Sequence, residues 1–265
     1  QEKFSKLGHG EPINKTENRP VLHTKLRQKE RYKSTEWQKL ASFSEQIRSD
    51  KNIHTLVNIG IGGSDLGASM VTNALKPFHG FQKIRFVSNV DPADLNDNLA
   101  DCDPKRTFFL VTSKTFTTAE TLQNASLAKS WLRQANITPS NQMAAITAAP
   151  PKAIDWGISK EKIFDFADGI GGRYSLWSAV GLPIMIAIGN KNFISFLEGA
   201  SEIDRHVFNT PIRKNIPVIL ALLRIWNRNF LNIPAHGIMP YDQRLSMLPA
   251  WAQQLEMESN GKAVD

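Results

Sequence analysis

Cysteine is almost absent. Cys102 is the single thiol in 265 residues, so an internal disulfide framework is excluded, and a reducing compartment such as the cytoplasm is the expected setting. Long apolar runs are missing too. The longest, Leu182 to Ile188, falls well short of the ~20 residues that span a bilayer, so no membrane partner is expected. The N-terminal QEKFSKLGHGEPINKTENR lacks the apolar centre of a signal peptide. The six histidines are scattered and no pair has ligand spacing on a helix, so no metal site is expected. No Gly-x-Ser-x-Gly elbow occurs, which removes a common mark of serine hydrolases. Internal repeats and low-complexity tracts are absent. The excess of positive charge, +7 from 32 basic and 25 acidic residues, has no dense basic run or basic–aromatic repeat. Nucleic acid is therefore not an expected partner; attraction of small anions, or no functional meaning, fits the dispersed charge better.

What is present has the balance of a globular protein. With 41% hydrophobic and 22% charged residues, the chain can bury a full core as one large domain or two small ones. Residues 1 to 33 are polar, broken by Gly8, Gly10, Pro12 and Pro20, and read as an extended arm. Thr35, with Gln38 three residues on, predicts a helix to about Asp50 with Trp37, Leu40, Phe43 and Ile47 on one face. Strand-like runs then alternate with helical patterns. The strands are His54 to Ile59, Ile84 to Ser88, Arg106 to Thr112, Met143 to Ala148 and Ile163 to Phe166. Such alternation predicts an α/β fold with a parallel sheet covered on both faces, and ligands in such sheets bind at the carboxyl ends of the strands. From Tyr174 the chain turns mainly helical. Helices are expected over about Ser175 to Ile188, Phe193 to Phe208, Ile212 to Phe230 and Ser246 to Glu258, with an extended piece at Ile233 to Met239.

Two loops fall where ligands belong. Ser113-Lys114-Thr115-Phe116-Thr117-Thr118 joins a strand to a helix that begins near Ala119. Free backbone N–H groups and the helix dipole make such a turn an anion site, and its four hydroxyls suit phosphate oxygens. The plain alternative is a Thr117 or Thr118 cap with Lys114 solvated. The other loop, Gly60-Ile61-Gly62-Gly63-Ser64-Asp65-Leu66-Gly67, resembles a dinucleotide fingerprint at Gly60 and Gly62, with Asp91 past the next strand. Asp65 occupies the third glycine position, however, which makes a nicotinamide-dependent oxidoreductase the weaker reading. Gly62 and Gly63 would let the backbone approach a sugar or phosphate while Ser64 donates a hydrogen bond; otherwise they form a tight turn with a serine cap.

Two further features could carry chemistry. Arg173 follows Gly171 and Gly172, and its planar fork suits a carboxylate, a phosphate or a developing oxyanion. Gln254 and Glu258, four apart on the last helix, share a face. A carboxylate beside an amide can act as general base while the amide binds a hydroxyl. Taken alone, each also reads as an ordinary solvated surface.

Together these stretches resemble the glucose-6-phosphate isomerase, or phosphoglucose isomerase, family. The resemblance is carried in order by TENRPVLH (Thr16 to His23), GIGGSDLG (Gly60 to Gly67), FVSNVD (Phe86 to Asp91), SKTFTTAET (Ser113 to Thr121), GGRYSLWSAVGL (Gly171 to Leu182) and MESNGK (Met257 to Lys262). It implies a sugar-isomerase fold, a doubly wound five-stranded parallel sheet flanked by helices, beside part of a larger second domain. Residues 1–33 become an arm packing with the larger domain, 34–186 the small sugar-isomerase domain, and 187–265 the incomplete helical start of the larger one.

The resemblance also implies roles. Gly63 and Ser64 belong to the ligand-contacting glycine loop, and Ser113, Lys114, Thr115 and Thr118 to a phosphate loop. Arg173 would lie near the reacting oxygens, Gln254 would contact substrate, and Glu258 would carry a proton between C1 and C2 of a sugar phosphate. No metal or organic cofactor is implied; a homodimer with a shared active site is. Family members continue beyond MESNGK and supply a histidine, from the neighbouring subunit, and a lysine that this chain lacks. A fragment of a longer protein is therefore expected, and a phosphosugar-binding module without turnover stands as the alternative to an isomerase.

Overall fold

The computed structural model describes residues 2–14 and 19–261; Thr16, Glu17, Asn18 and Lys262 of the quoted motifs lie outside the described residues. In chain order come α1 (Glu2–His9), β1 (Pro12–Asn14), β2 (Arg19–Pro20), α2 (Thr35–Ser49), β3 (Thr55–Ile59), α3 (Leu66–Ala74), β4 (Lys83–Val87), α4 (Pro92–Leu99) and β5 (Thr107–Thr112). They are followed by α5 (Ala119–Gln134), β6 (Met143–Ile146), α6 (Pro150–Trp156), β7 (Ile163–Phe164), α7 (Leu182–Ile188), α8 (Asn190–Asn209), α9 (Ile216–Asn229) and α10 (Leu248–Asn260). Among the described residues no helix is long and apolar enough to cross a membrane.

The expected five-stranded parallel sheet is present, in the order β4-β3-β5-β6-β7. Two of its three interior strands, TLVNI and TFFLVT, are buried along their whole length, as strands covered on both faces must be. Side chains alternate between two cores. Leu56, Phe108 and Leu110 join α2, α3 and α7 on one face, while Val57, Phe109 and Val111 join α4 and α5 on the other. The chain leaves β3 through α3 toward β4, and leaves the adjacent β5 through α5 toward β6 on the opposite side. The connections diverge between β3 and β5, which opens a crevice at their carboxyl ends. Both candidate loops begin there.

Several sequence expectations are corrected at element ends. Ser34, not Thr35, caps α2 by accepting from the Trp37 N–H at 3.1 Å. The arm is not simply extended: it contains α1, the β1–β2 pair and two 3-10 turns, His23–Arg27 and Lys29–Lys33. Arg27 forms a two-point pair with Asp204 on α8, both contacts at 2.7 Å, and this long-range anchor supplies order that the polar local sequence does not advertise. The helix expected over Ser175 to Ile188 is broken. Ser178 is extended and its hydroxyl takes the Val180 N–H at 3.2 Å, after which Pro183 starts α7 in its first turn. Residues 233–239 form no regular strand. Helix α9 starts only at Ile216, behind the Asn215 cap and with Pro217 in its first turn.

Candidate active site

The glycine loop is shaped by close backbone contacts. A Cβ on Gly60 would meet the Ser64 carbonyl at 2.8 Å and the Thr112 carbonyl at 3.0 Å, so the loop folds directly against the end of β5. Asn58 secures this junction from below, donating to the Ser64 carbonyl at 3.1 Å and accepting from the Thr112 hydroxyl at 2.7 Å. A Cβ on Gly63 would lie 2.2 Å from the Gly172 carbonyl carbon and 2.7 Å from the Arg173 nitrogen. The Ser175 hydroxyl, 3.1 Å from the Gly63 oxygen and 2.6 Å from the Gly172 oxygen, binds the same two segments together. Thus the glycine loop carries the turn that positions Arg173. The Ser64 hydroxyl has no hydrogen-bond partner among the described residues, and the residue at the helix cap position, Asp65, forms no side-chain cap bond. The serine-cap alternative is not realised.

The second loop has the make-up of an anion cradle. Thr118 sits at the cap position of α5 without a side-chain cap bond. Ser113, 2% exposed, instead places its hydroxyl 3.2 Å from that of Thr118, and Thr115 and Thr117 pair at 2.7 Å. The backbone N–H groups of Lys114, Thr115, Thr117 and Thr118 have no described acceptor, and they adjoin the positive end of a helix. Phe116 turns the chain with φ +49°, a conformation costing on the order of 1 kcal/mol for a bulky residue. Its ring is buried in the core beside Trp156, which holds the turn in place. Lys114 is not solvated: its ammonium binds the Asp168 and Ile170 carbonyls at 2.7 and 3.1 Å and the Asp168 carboxylate at 3.2 Å. What the loop offers an anion is therefore chiefly N–H groups and hydroxyls.

The segment held by Lys114 runs directly into the catalytic candidates. Arg173, with its side chain 16% exposed, places Nη1 3.3 Å from Glu258 Oε2. Gln254 donates from Nε2 to Glu258 Oε1 at 2.7 Å. Both carboxylate oxygens are thereby held, while the side chain remains 46% exposed to an incoming molecule. Gln254 Oε1 is buried without a described donor, an acceptor left over for a ligand hydroxyl. The structure thus brings Gly63, Arg173, Gln254 and Glu258 together, with Ser64 on the same glycine loop. Ser113, Thr115 and Thr118 form a separate lobe joined to them through Lys114 and residues 168–173.

Four contributors were not assigned roles by sequence reasoning. Ser259 accepts from Arg173 Nε at 2.9 Å and lies 2.8 Å from the Tyr174 hydroxyl. Tyr174 in turn meets His23 edge-on, with ring centroids 4.8 Å apart, and His23 Nε2 accepts the Gly171 N–H at 3.0 Å. Burial, aided by the positive charges of Arg27, Arg173 and Lys114, pushes His23 down to about 4, so it is neutral at physiological pH and able to accept. All three lie within or beside the quoted motifs, but their mutual contacts span the chain. Asp65, the residue that interrupts the dinucleotide fingerprint, is only 6% exposed. Burial raises its carboxyl to about 6, with the nearby Ser88 and Ser69 hydroxyls opposing the rise.

The family model described as phosphoglucose isomerase matches residues 1–265. The chain is similar to the glucose-6-phosphate isomerase of Ruegeria pomeroyi, 46% identical over 273 residues, covering 96% of this chain and 51% of that protein. It is similar also to that of Rhizobium meliloti, 44% identical over 285 residues, covering 100% and 53%. The crystal structure of a glucose-6-phosphate isomerase from Chlamydia trachomatis superposes with a TM-score of 0.88 at 32% identity, over 99% of this chain and 54% of that one. The chain spans about half the length of the curated relatives it matches. With a family model matched over its whole length and relatives 44–46% identical across nearly all of it, the chain belongs to the phosphoglucose isomerase family.

Proposed function

We propose that the protein carrying this chain interconverts glucose 6-phosphate and fructose 6-phosphate, as a step of glycolysis and gluconeogenesis. The observation that supports this most is Glu258, whose carboxylate lies between the Gln254 amide at 2.7 Å and the Arg173 guanidinium at 3.3 Å. Aldose–ketose conversion removes a proton from a carbon beside a carbonyl and returns it to the neighbouring carbon. One carboxylate set over both carbons can do both transfers. The intervening enediolate carries negative charge on oxygen, and a fixed guanidinium stabilises charge that exists only along the reaction path. Gln254, with its unpartnered Oε1, takes a sugar hydroxyl, and Ser64 another. The cradle of Ser113, Thr115 and Thr118, with the N–H of Lys114, holds the remote phosphate and supplies positioning energy.

The finer assignments follow the same reading. Helix α9 has no buried residue, and Leu220, Leu222, Leu223 and Trp226 are each more than half exposed. An apolar helix surface of this kind supports assigning the later part of 187–265 to a larger second domain, whereas Phe193 and Leu197 of α8 pack into the core shared with α2, α3 and α7. A homodimer with a shared site and a cytoplasmic location are proposed on the family resemblance and the single cysteine. For the 265 residues alone, phosphosugar binding without turnover is the second reading, favoured by their spanning about half of the relatives' length. The test is Glu258→Gln in the whole protein. Turnover should fall by at least roughly 1,000-fold, as expected when an essential base is removed, with affinity for 6-phosphogluconate kept within about threefold. Retained turnover would remove Glu258 from its role.

A further inference from the structure

We infer that Ser259 is a positioning residue that keeps Arg173 and Glu258 from closing on each other. This rests on the isomerase reading above. Consecutive residues of α10, Glu258 and Ser259, address two edges of one guanidinium: Nε donates to the Ser259 hydroxyl at 2.9 Å, while Nη1 stands 3.3 Å from the Glu258 carboxylate. The second contact is long for a charge-assisted hydrogen bond, whose usual separation is ~2.7–2.9 Å. A guanidinium free to rotate would present two N–H groups and, competing with the Gln254 amide for Oε1, form the shorter two-point pair that Arg27 and Asp204 make in this same molecule, with both contacts at 2.7 Å. Such a pair would occupy the base and the electrostatic group with one another. Ser259 takes the Nε edge and leaves a single, long contact to the base.

The hydroxyl is itself fixed. The Tyr174 oxygen lies 2.8 Å from Ser259 Oγ, and the guanidinium carbon of Arg173 sits 4.8 Å from the centroid of the Tyr174 ring. Tyr174 is braced in turn by the His23 ring. The guanidinium is thus held at its edge by Ser259 and across its face by Tyr174, and the two supports share a hydrogen bond. They should act as one unit.

The experiment uses the whole protein, with steady-state turnover of fructose 6-phosphate, 6-phosphogluconate binding and thermal unfolding measured for each variant. Ser259→Ala should lower kcat by roughly 10- to 100-fold, the size expected for losing a hydrogen bond to a charged group. KM should move by less than about threefold, because the supported interaction forms with the transition state. Ser259→Thr, which keeps the hydroxyl, should recover most of the loss. Tyr174→Phe added to Ser259→Ala should lower kcat no more than about twofold further, because a shared unit is not additive. The inference is overturned if Ser259→Ala retains kcat within about threefold of the parent, if Ser259→Thr is as slow as Ser259→Ala, or if the two losses multiply. A parent without isomerase activity, or an active Glu258→Gln variant, would instead overturn the reading on which the inference rests. An active parent with an inactive Glu258→Gln confines any failure to Ser259.

Discussion

Adding one methyl group to Gly63 should separate the glycine loop from the arginine turn. The Cβ would lie 2.2 Å from the carbonyl carbon of Gly172, 2.3 Å from its oxygen and 2.7 Å from the Arg173 nitrogen, where ordinary contact begins at 3.4 Å. The obstructing atoms are backbone, so no side chain can rotate away. Relief needs a movement of about 1.2 Å, the difference between 3.4 and 2.2 Å, of one segment against the other. Ser175 resists that movement, since its hydroxyl spans both carbonyls. Forced overpacking of this kind costs about 1–3 kcal/mol. Displacement of a substrate-orienting group by about 1 Å costs on the order of 100-fold in rate. Gly63→Ala in the whole protein should therefore lose about 1–3 kcal/mol in urea unfolding and on the order of 100-fold in kcat. Gly172→Ala is the stability control: nothing lies within 4 Å of its added Cβ, and it should stay within about 0.5 kcal/mol of the parent. Gly63→Ala with an unchanged urea midpoint and turnover within about threefold would refute the reasoning.

Two pH-dependent predictions concern stability. Asp65 is raised by burial from 3.8 to about 6, so its ionised form is penalised in the folded protein. That contribution to stability is full below the unfolded value and is lost as pH rises through about 6, up to about 3 kcal/mol in all. Unfolding free energies from pH 4 to 8 should fall less steeply in Asp65→Asn, and equal slopes would rule the effect out. His23 is depressed from 6.5 to about 4, so its contribution is present above 6.5 and lost as pH falls through about 4, by about 3 kcal/mol. His23→Gln, which retains an acceptor for the Gly171 N–H, should flatten acid unfolding over that window; an unchanged acid limb would contradict it.

Local sequence carried much of the fold because the central strands are covered on both faces. TFFLVT and TLVNI read as continuous apolar runs for that reason, and the divergence of their connections sets the crevice. Element ends were less legible because they depend on single side chains. Ser34 caps where the Thr35/Gln38 spacing points to Thr35, and Ser178 interrupts a run whose apolar periodicity alone suggests one helix. The arm read as extended since its anchor, Arg27 to Asp204, joins residues 177 positions apart. The candidate site divides similarly. Glycines, hydroxyls and the Gln254/Glu258 spacing are local signals. By contrast, the commitment of Lys114 to residues 168–170, and the linkage of His23, Tyr174 and Ser259 around Arg173, arise only when distant segments meet.

The central claim, that Glu258 moves a proton between adjacent carbons of a phosphosugar, is tested most directly by deuterium incorporation at C1 of fructose 6-phosphate in D2O, followed by NMR. The whole protein should incorporate solvent deuterium, and Glu258→Gln should lose incorporation by at least roughly 1,000-fold while still binding 6-phosphogluconate. Incorporation continuing at the parent rate in Glu258→Gln, or isomerisation by the parent with no solvent deuterium in the product, would contradict the account.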